Sequence, residues 1–304
     1  MIWGVNAVAF KVGGRTFDPI LLNGLRFLAV APCLALIVAA RSPALLRTEG
    51  RADLLRYAAY GFVSVALGEV LMTYAVQYTS VANMTLLGPG TISLFTALWA
   101  VALREQTLTR VGWVGALVAF AGVGMVAALG GGSHGLRLDP TSLKGDAIAL
   151  LRSAVHGGYL LLLARTLRER PVPTVTVYNV VFAALWLLPY VLWRAPGVAW
   201  AEVPGVAWLA LLWTIVPTTV YGYLVWNWGM RRVGAVASTN FMYLLPVFAA
   251  LAGWVLLKEP ITIGQVLGGV VIVLGIVLLR WDAMASAGLR VNLPRFTLPG
   301  RRRE

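Results

Sequence analysis

The sequence predicts an all-α polytopic membrane protein: ten transmembrane helices arranged as two inverted five-helix repeats. Three observations carry that expectation. Of 304 residues, 59% are hydrophobic and only 12% charged, with a mean hydropathy of +0.79. Apolar segments of crossing length recur along the whole chain. A shift of 153 or 154 positions lays the first half on the second.

An ordinary soluble domain is roughly a quarter charged, so the composition excludes a soluble globular enzyme, a disordered chain and a disulfide scaffold. The net charge is +13, from 25 Lys and Arg against 12 Asp and Glu. In so apolar a chain these basic residues belong in loops that fix topology, and no nucleic-acid partner is expected. Cys33 is the single cysteine, and His134 and His156 are the only histidines. No intramolecular disulfide and no histidine-rich metal centre can be built from that set. Without a nucleophile–base pair, phosphate loop or metal spacing, neither an enzyme nor a cofactor is expected.

A crossing helix needs about 20 apolar residues. Nine segments read as full spans: 19–40, 54–78, 81–103, 111–129, 145–164, 174–193, 206–230, 235–257 and 264–279. A tenth, 1–13, is apolar but short. Laid out alternately, these spans put 17 Lys and Arg on one side and six on the other, with Arg26 and Arg152 inside spans. The positive-inside rule then predicts a multi-pass membrane protein with both termini cytoplasmic. A removable signal peptide is not expected, because no basic n-region precedes an apolar core with a small-residue cleavage site.

Under the shift, Pro19 meets Pro173, Tyr74-Ala75-Val76 meets Trp228-Gly229-Met230, and Leu103-Arg104-Glu105 meets Leu257-Lys258-Glu259. After one lost residue, Thr109, Gly115 and Gly122 meet Thr262, Gly268 and Gly275. The predicted organisation is a first repeat at 1–129, an extracytoplasmic linker at 130–144, a second repeat at 145–280 and a basic cytoplasmic tail at 281–304. An odd number of helices per repeat inverts the second copy, a signature of secondary transporters with a midplane site between the copies. The same alignment predicts a first helix truncated at its N-terminus, with roughly nine residues missing ahead of Met1.

Several motifs now fall into order. Ile2-Trp3-Gly4-Val5-Asn6 precedes Lys11, Pro19 precedes Arg26, and Tyr78-Thr79-Ser80-Val81-Ala82 links two spans. A Leu-x-Glu-x-x-(x)-Thr pattern followed by Gly-x6-Gly occurs twice, and Leu245-Pro246-Val247-Phe248 precedes Glu259. This set resembles the EamA-type transporters of the drug/metabolite transporter superfamily over almost the whole chain. The resemblance implies a ten-helix inverted-repeat fold that exports small metabolites, often amino acids, or toxic compounds. The chain departs from the pattern at Ile92, which stands where the second copy has Pro246, its proline being displaced to Gly88-Pro89-Gly90. Glu69, Arg152 and His156 also replace uncharged residues.

Charges within a span usually face a cavity or a partner. Glu69 lies about 15 Å deep at 1.5 Å per residue, and Arg152 and His156 share that depth. Arg152, His156 and Tyr159 are spaced i, i+4, i+7 on one helix face. The expectation is that Glu69 faces Arg152 or His156. There it holds a substrate's charged ends, carries a coupling proton, or simply locks the copies together. Arg26 is expected to snorkel outward, Lys11 to anchor a helix end, and Glu105 and Glu259 to sit ahead of the next helix N-terminus.

Asn6 on the first span joins the candidate binding residues. So do Tyr223, Trp226 and Asn227, which share a face of the eighth span, and Asn240 and Tyr243 on the ninth. Buried amides and hydroxyls need partners, and stacked rings suit an aromatic or amphipathic small molecule. Pro89, Pro217 and Pro246 are the expected helix breaks, which in corresponding helices point to a transport site. The glycine faces Gly115/Gly122 and Gly268/Gly275 suit close helix contact, a homodimer contact included. The reading is a secondary exporter of a small metabolite, an amino acid or related compound, in the lipid bilayer and with protons as a candidate coupling ion. The alternatives are organic-cation or multidrug efflux and a non-transporting scaffold.

Overall fold

The computed structural model describes residues 2–46, 50–130, 139–222, 225 and 244–286. Among these the chain is helical throughout, in ten principal helices. They are α1 (Ile2–Gly13), α2 (Pro19–Arg41), α3 (Arg51–Tyr78), α4 (Val81–Ala102), α5 (Arg110–Leu129), α6 (Pro140–Glu169), α7 (Val172–Arg194), α8 (Gly205–Tyr221), α9 (Leu245–Leu257) and α10 (Ile263–Ser286). Helices α2 to α7 are long and apolar enough to cross a membrane, and α1, α8, α9 and α10 are shorter apolar segments. Large apolar side chains such as Leu36, Leu117, Leu192, Leu209 and Ile263 point outward, as they must in contact with acyl chains.

Local chemistry sets where the helices begin. Asp18 accepts from the N–H groups of Ile20 and Leu21 at 3.1 and 2.9 Å, with Pro19 as the first helical residue. Asp139 does the same for Thr141 and Ser142, so α6 starts five residues ahead of the apolar run at 145. A proline at the first position loses no hydrogen bond, and an aspartate before it satisfies orphan donors. The repeat-equivalent threonines behave alike. Thr109 caps Val111 N–H, and Thr262 forms a reciprocal capping box with Gln265. Arg104 and Lys258, also equivalent, both take left-handed φ of 59° where α4 and α9 end.

Three of the helices carry interruptions. A π-helical segment at Thr214–Tyr221 surrounds Pro217, the expected break. Its repeat equivalent in α3, Gly61–Leu67, is π-helical without any proline. In α4 the break falls at Pro89–Thr91 as a short 3-10 turn. Thr91 Oγ1 donates to the Leu87 carbonyl at 2.6 Å, and Ser153 of α6 donates to the carbonyl of Gly88. Freed carbonyls in hydrocarbon need such donors. Pro246 is the second residue of α9 as described and packs near Gly90 of the α4 break.

The bundle has two distinguishable ends. Lys11, Asp18, Thr79, Gly130, Asp146, Arg194 and Glu259 are joined by hydrogen bonds or ion pairs at one, called here the Lys11 end. Asp53, Glu105, Arg165, Glu169 and Arg170 mark the other, the Arg165 end. Helix α5 lies along α10 for most of its length. A Cβ at Gly122 would stand 2.6 Å from Ile272 N and 2.8 Å from Gly268 O, and one at Gly115 2.7 Å from Leu279 N. The two glycine faces therefore meet each other inside one chain. Gly122→Val should force these helices apart and cost about 1–3 kcal/mol, read as a lower unfolding midpoint in detergent. An unchanged midpoint would show that the contact tolerates a side chain.

Candidate functional site

Three helices deliver charges to one buried place. Arg26 of α2 is only 3% exposed. Its Nη1 donates to Glu69 Oε2 of α3 at 2.8 Å, and its Nε and Nη2 donate to Thr219 Oγ1 of α8 at 3.0 and 2.8 Å. The guanidinium stands over the rings of Phe10 and Phe27, with centroids at 5.2 and 4.8 Å, where the ring faces attract a cation. Snorkelling is thus overturned: with a carboxylate and a hydroxyl in reach, the side chain turns inward. Arg152 of α6 holds the other side of Glu69, Nη2 to Oε1 at 3.8 Å. Glu69 therefore bridges two guanidiniums rather than facing Arg152 or His156 alone.

The surrounding polar groups tighten this arrangement. Asn23 donates to Thr73 Oγ1 at 2.8 Å, and Thr73 donates to the Glu69 carbonyl at 2.8 Å. His156 does not meet Glu69 as its hydrogen-bond partner: its Nδ1 lies 3.3 Å from Ser64 Oγ, inside the α3 π segment. Its ring lies 5.3 Å from that of Tyr159, whose hydroxyl accepts from Asn179 Nδ2 at 3.2 Å. Asn6 is buried on α1, and Trp3 Nε1 donates to the Thr218 carbonyl at 3.0 Å. The Asn6 and Asn179 side-chain oxygens and the Thr218 hydroxyl are buried without a hydrogen-bond partner among the described residues. Tyr223, Trp226, Asn227, Asn240 and Tyr243 lie outside the described residues.

A polar face of α6 leads away from this centre. Arg152, His156, Tyr159 and Thr166 follow one another along it, opposite Glu69, Ser64 and Tyr60 of α3. It ends at a cavity of about 310 Å³ at the Arg165 end, lined by Arg56, Tyr60, Leu162, Arg165, Thr166 and Glu169. Tyr60 meets Thr166 Oγ1 at 2.9 Å in that wall.

The Lys11 end is closed by a separate network. Lys11 Nζ pairs with Glu259 Oε1 at 2.6 Å and donates to the Thr79 carbonyl at 2.8 Å, while Val81 N–H donates to Glu259 Oε2 at 2.8 Å. Glu259 thus serves the N-terminus of α4 rather than that of the helix that follows it. Beside it, buried Asp146 accepts from Thr79 Oγ1 at 2.7 Å and from Asn83 Nδ2 at 3.2 Å. Gln265 then joins Asn83, Ser80 and the Gly130 carbonyl. The sequence reading passed over Asp146. A lone acidic residue just inside an apolar span was the available signal.

An all-helical chain with an apolar outer surface and an internal string of charges is a multi-pass membrane protein. A profile of the EamA-like transporter family matches residues 1–128 and again 143–281; the chain belongs to that family. Among its relatives, the uncharacterised transporter YyaM of Bacillus subtilis is 26% identical over 271 residues, 89% of this chain and 87% of that one. A probable amino-acid metabolite efflux pump of Salmonella typhimurium is 26% identical over 298 residues, covering 91% and 90%. The inner membrane transporter YedA of Escherichia coli, also uncharacterised, is 25% identical over 253 residues, covering 83% and 78%. A solved crystal structure shares the fold with TM-score 0.60 and 21% identity, over 93% of this chain and 94% of the other.

Removing one partner of a buried ion pair typically costs about 3–5 kcal/mol, because the other charge is left behind. Arg26→Met should therefore lower the unfolding midpoint strongly, and Arg26→Met with Glu69→Leu should recover much of the loss. Calorimetry of the three variants in detergent gives the comparison. A double variant worse than Arg26→Met would mean that Glu69 draws its support chiefly from Arg152.

Proposed function

We propose that this protein is a secondary transporter that exports a small carboxylate-bearing metabolite, an amino acid or close relative, by alternating access. The carrying observation is Glu69 set between Arg26 and Arg152. One carboxylate between two guanidiniums leaves the centre with an excess positive charge, which attracts a substrate carboxylate and repels an organic cation. Thr218, next to the Arg26 partner Thr219, and Asn6 on α1 add buried acceptors suited to N–H groups. In this reading the basic loops keep the Arg165 end cytoplasmic. The 310 Å³ cavity is then the entrance from the cytoplasm, and the polar face of α6 leads inward from it. The name of the Salmonella relative supports the same substrate class. Cation efflux would require Glu69 as a counter-charge, and Arg26 already occupies it.

Thermal unfolding of the purified protein against amino acids, nucleosides and cationic dyes tests this reading. A ligand at 100 times its Kd should stabilise the native state by roughly 2.7 kcal/mol. The expected result is a higher midpoint with one or more amino acids, absent in Arg152→Gln, which removes the excess positive charge, and export of that amino acid from proteoliposomes. A shift with dyes alone would overturn the substrate class.

A further inference from the structure

The shift of 154 positions that relates the two repeats carries Lys11 onto Arg165 and Glu105 onto Glu259. The structure pairs these four residues in a way that obeys the same relation. Lys11 meets Glu259 at the Lys11 end, and Arg165 meets Glu105 at the other. Each pair joins one half of the chain to the other, through α1 with α9 and through α6 with α4. Each glutamate directly follows a residue in the left-handed conformation, Lys258 or Arg104, which turns the chain off the helix and across to its partner.

What differs is burial. The Lys11 and Glu259 side chains are 15% and 19% exposed; those of Arg165 and Glu105 are 56% and 34% exposed. The buried pair is also fastened to the start of α4, by Lys11 to the Thr79 carbonyl and by Val81 N–H to Glu259. The exposed pair borders the cavity, since Arg165 is one of its lining residues. One helical turn deeper, the equivalent residues Val8 and Leu162 show the same contrast, 5% against 43% exposed.

We infer that Lys11–Glu259 and Arg165–Glu105 are two positioning latches that exchange roles during the transport cycle. The inference rests on the alternating-access reading above. In the state described here the first latch is buried and closes its end, while the second is solvated and its end is open. In the opposite state Arg165–Glu105 becomes the buried pair and Lys11–Glu259 the solvated one. The energetics follow from burial alone. A solvated pair contributes little, whereas a buried pair that loses one charge is strongly destabilised. Neutralising either glutamate therefore penalises only the state in which its own pair is buried.

Glu259→Gln and Glu105→Gln keep side-chain shape and should shift the conformational balance in opposite directions. A Cys33→Ser background carrying Val8→Cys or Leu162→Cys reports each end by its rate of maleimide labelling in detergent. Glu259→Gln is expected to speed labelling at position 8 and slow it at 162, each by about tenfold. Glu105→Gln should leave 162 at least as reactive as in the parent and make 8 less so. Glu259→Asp, which keeps the charge, should leave both rates nearer the parent than Glu259→Gln does. Labelling that moves in the same direction in both glutamine variants, or in neither, overturns the latches. Amino-acid export by the parent protein in proteoliposomes tests the underlying reading separately.

Discussion

A carboxylate and two guanidiniums in a hydrocarbon slab have very little freedom. Each is costly to leave unpaired there, and no water is at hand to take over the hydrogen bonds. Arg26, Glu69 and Arg152 arise on α2, α3 and α6, and Thr219 on α8 completes the set. Satisfying them fixes how α6, from the second half of the chain, sits against α3 from the first. Lipid tails are as apolar as leucine side chains, so burial of hydrocarbon gives no comparable preference between helix partners. Much of the arrangement around this centre follows from that need. Phe10 and Phe27 present ring faces to Arg26, and Asn23 and Thr73 brace the Glu69 backbone.

The irregular backbone lies close to the same charges, and for a related reason. A π-helical or 3-10 segment leaves backbone groups that a regular helix would bond internally. Such segments persist in a membrane only where side chains replace the missing partners. Ser153 and Thr91 do so at the α4 break, and Trp3 meets the Thr218 carbonyl in α8. In α3 the π segment brings Ser64 to His156 and ends two residues before Glu69. Thr219 serves both needs: its Oγ1 accepts from Arg26 and donates to the Thr214 carbonyl at 2.7 Å within the α8 π segment.

What the sequence made legible was whatever depends on a single helix. Hydropathy located the spans, because exclusion from water does not need a partner. Pro19 marked the start of α2, whereas the Asp139 cap starts α6 five residues ahead of the span expected from 145. The duplication was visible as motif order along the chain. What depends on two helices was harder to read. An arginine seven residues inside a span can snorkel or pair, and only the position of Glu69 on another helix decides it. The α3 π segment has no proline to announce it, whereas its equivalent has Pro217. The glycine faces were visible, but not that α5 and α10 would press them together. Asp146 opens an apolar run in sequence; its donors, Thr79 and Asn83, come from the α3–α4 turn and the first turn of α4.

An inverted repeat raises one further question: why equivalent parts should look different. Lys11–Glu259 and Arg165–Glu105 have matching charges, positions and left-handed turns, yet one pair is buried and the other solvated. Part of the difference is written into the sequence. Glu69 and Arg26 fall on the uncharged Tyr223 and Val180 under the repeat relation, so the centre itself is asymmetric. The two pairs, by contrast, have nearly the same chemistry, so residue identity alone does not account for their unequal burial. A protein with an asymmetric centre and near-symmetric ends can bind one particular molecule and still offer it to either side. That combination suits the alternating access proposed above, and it can arise by duplication followed by divergence at the middle.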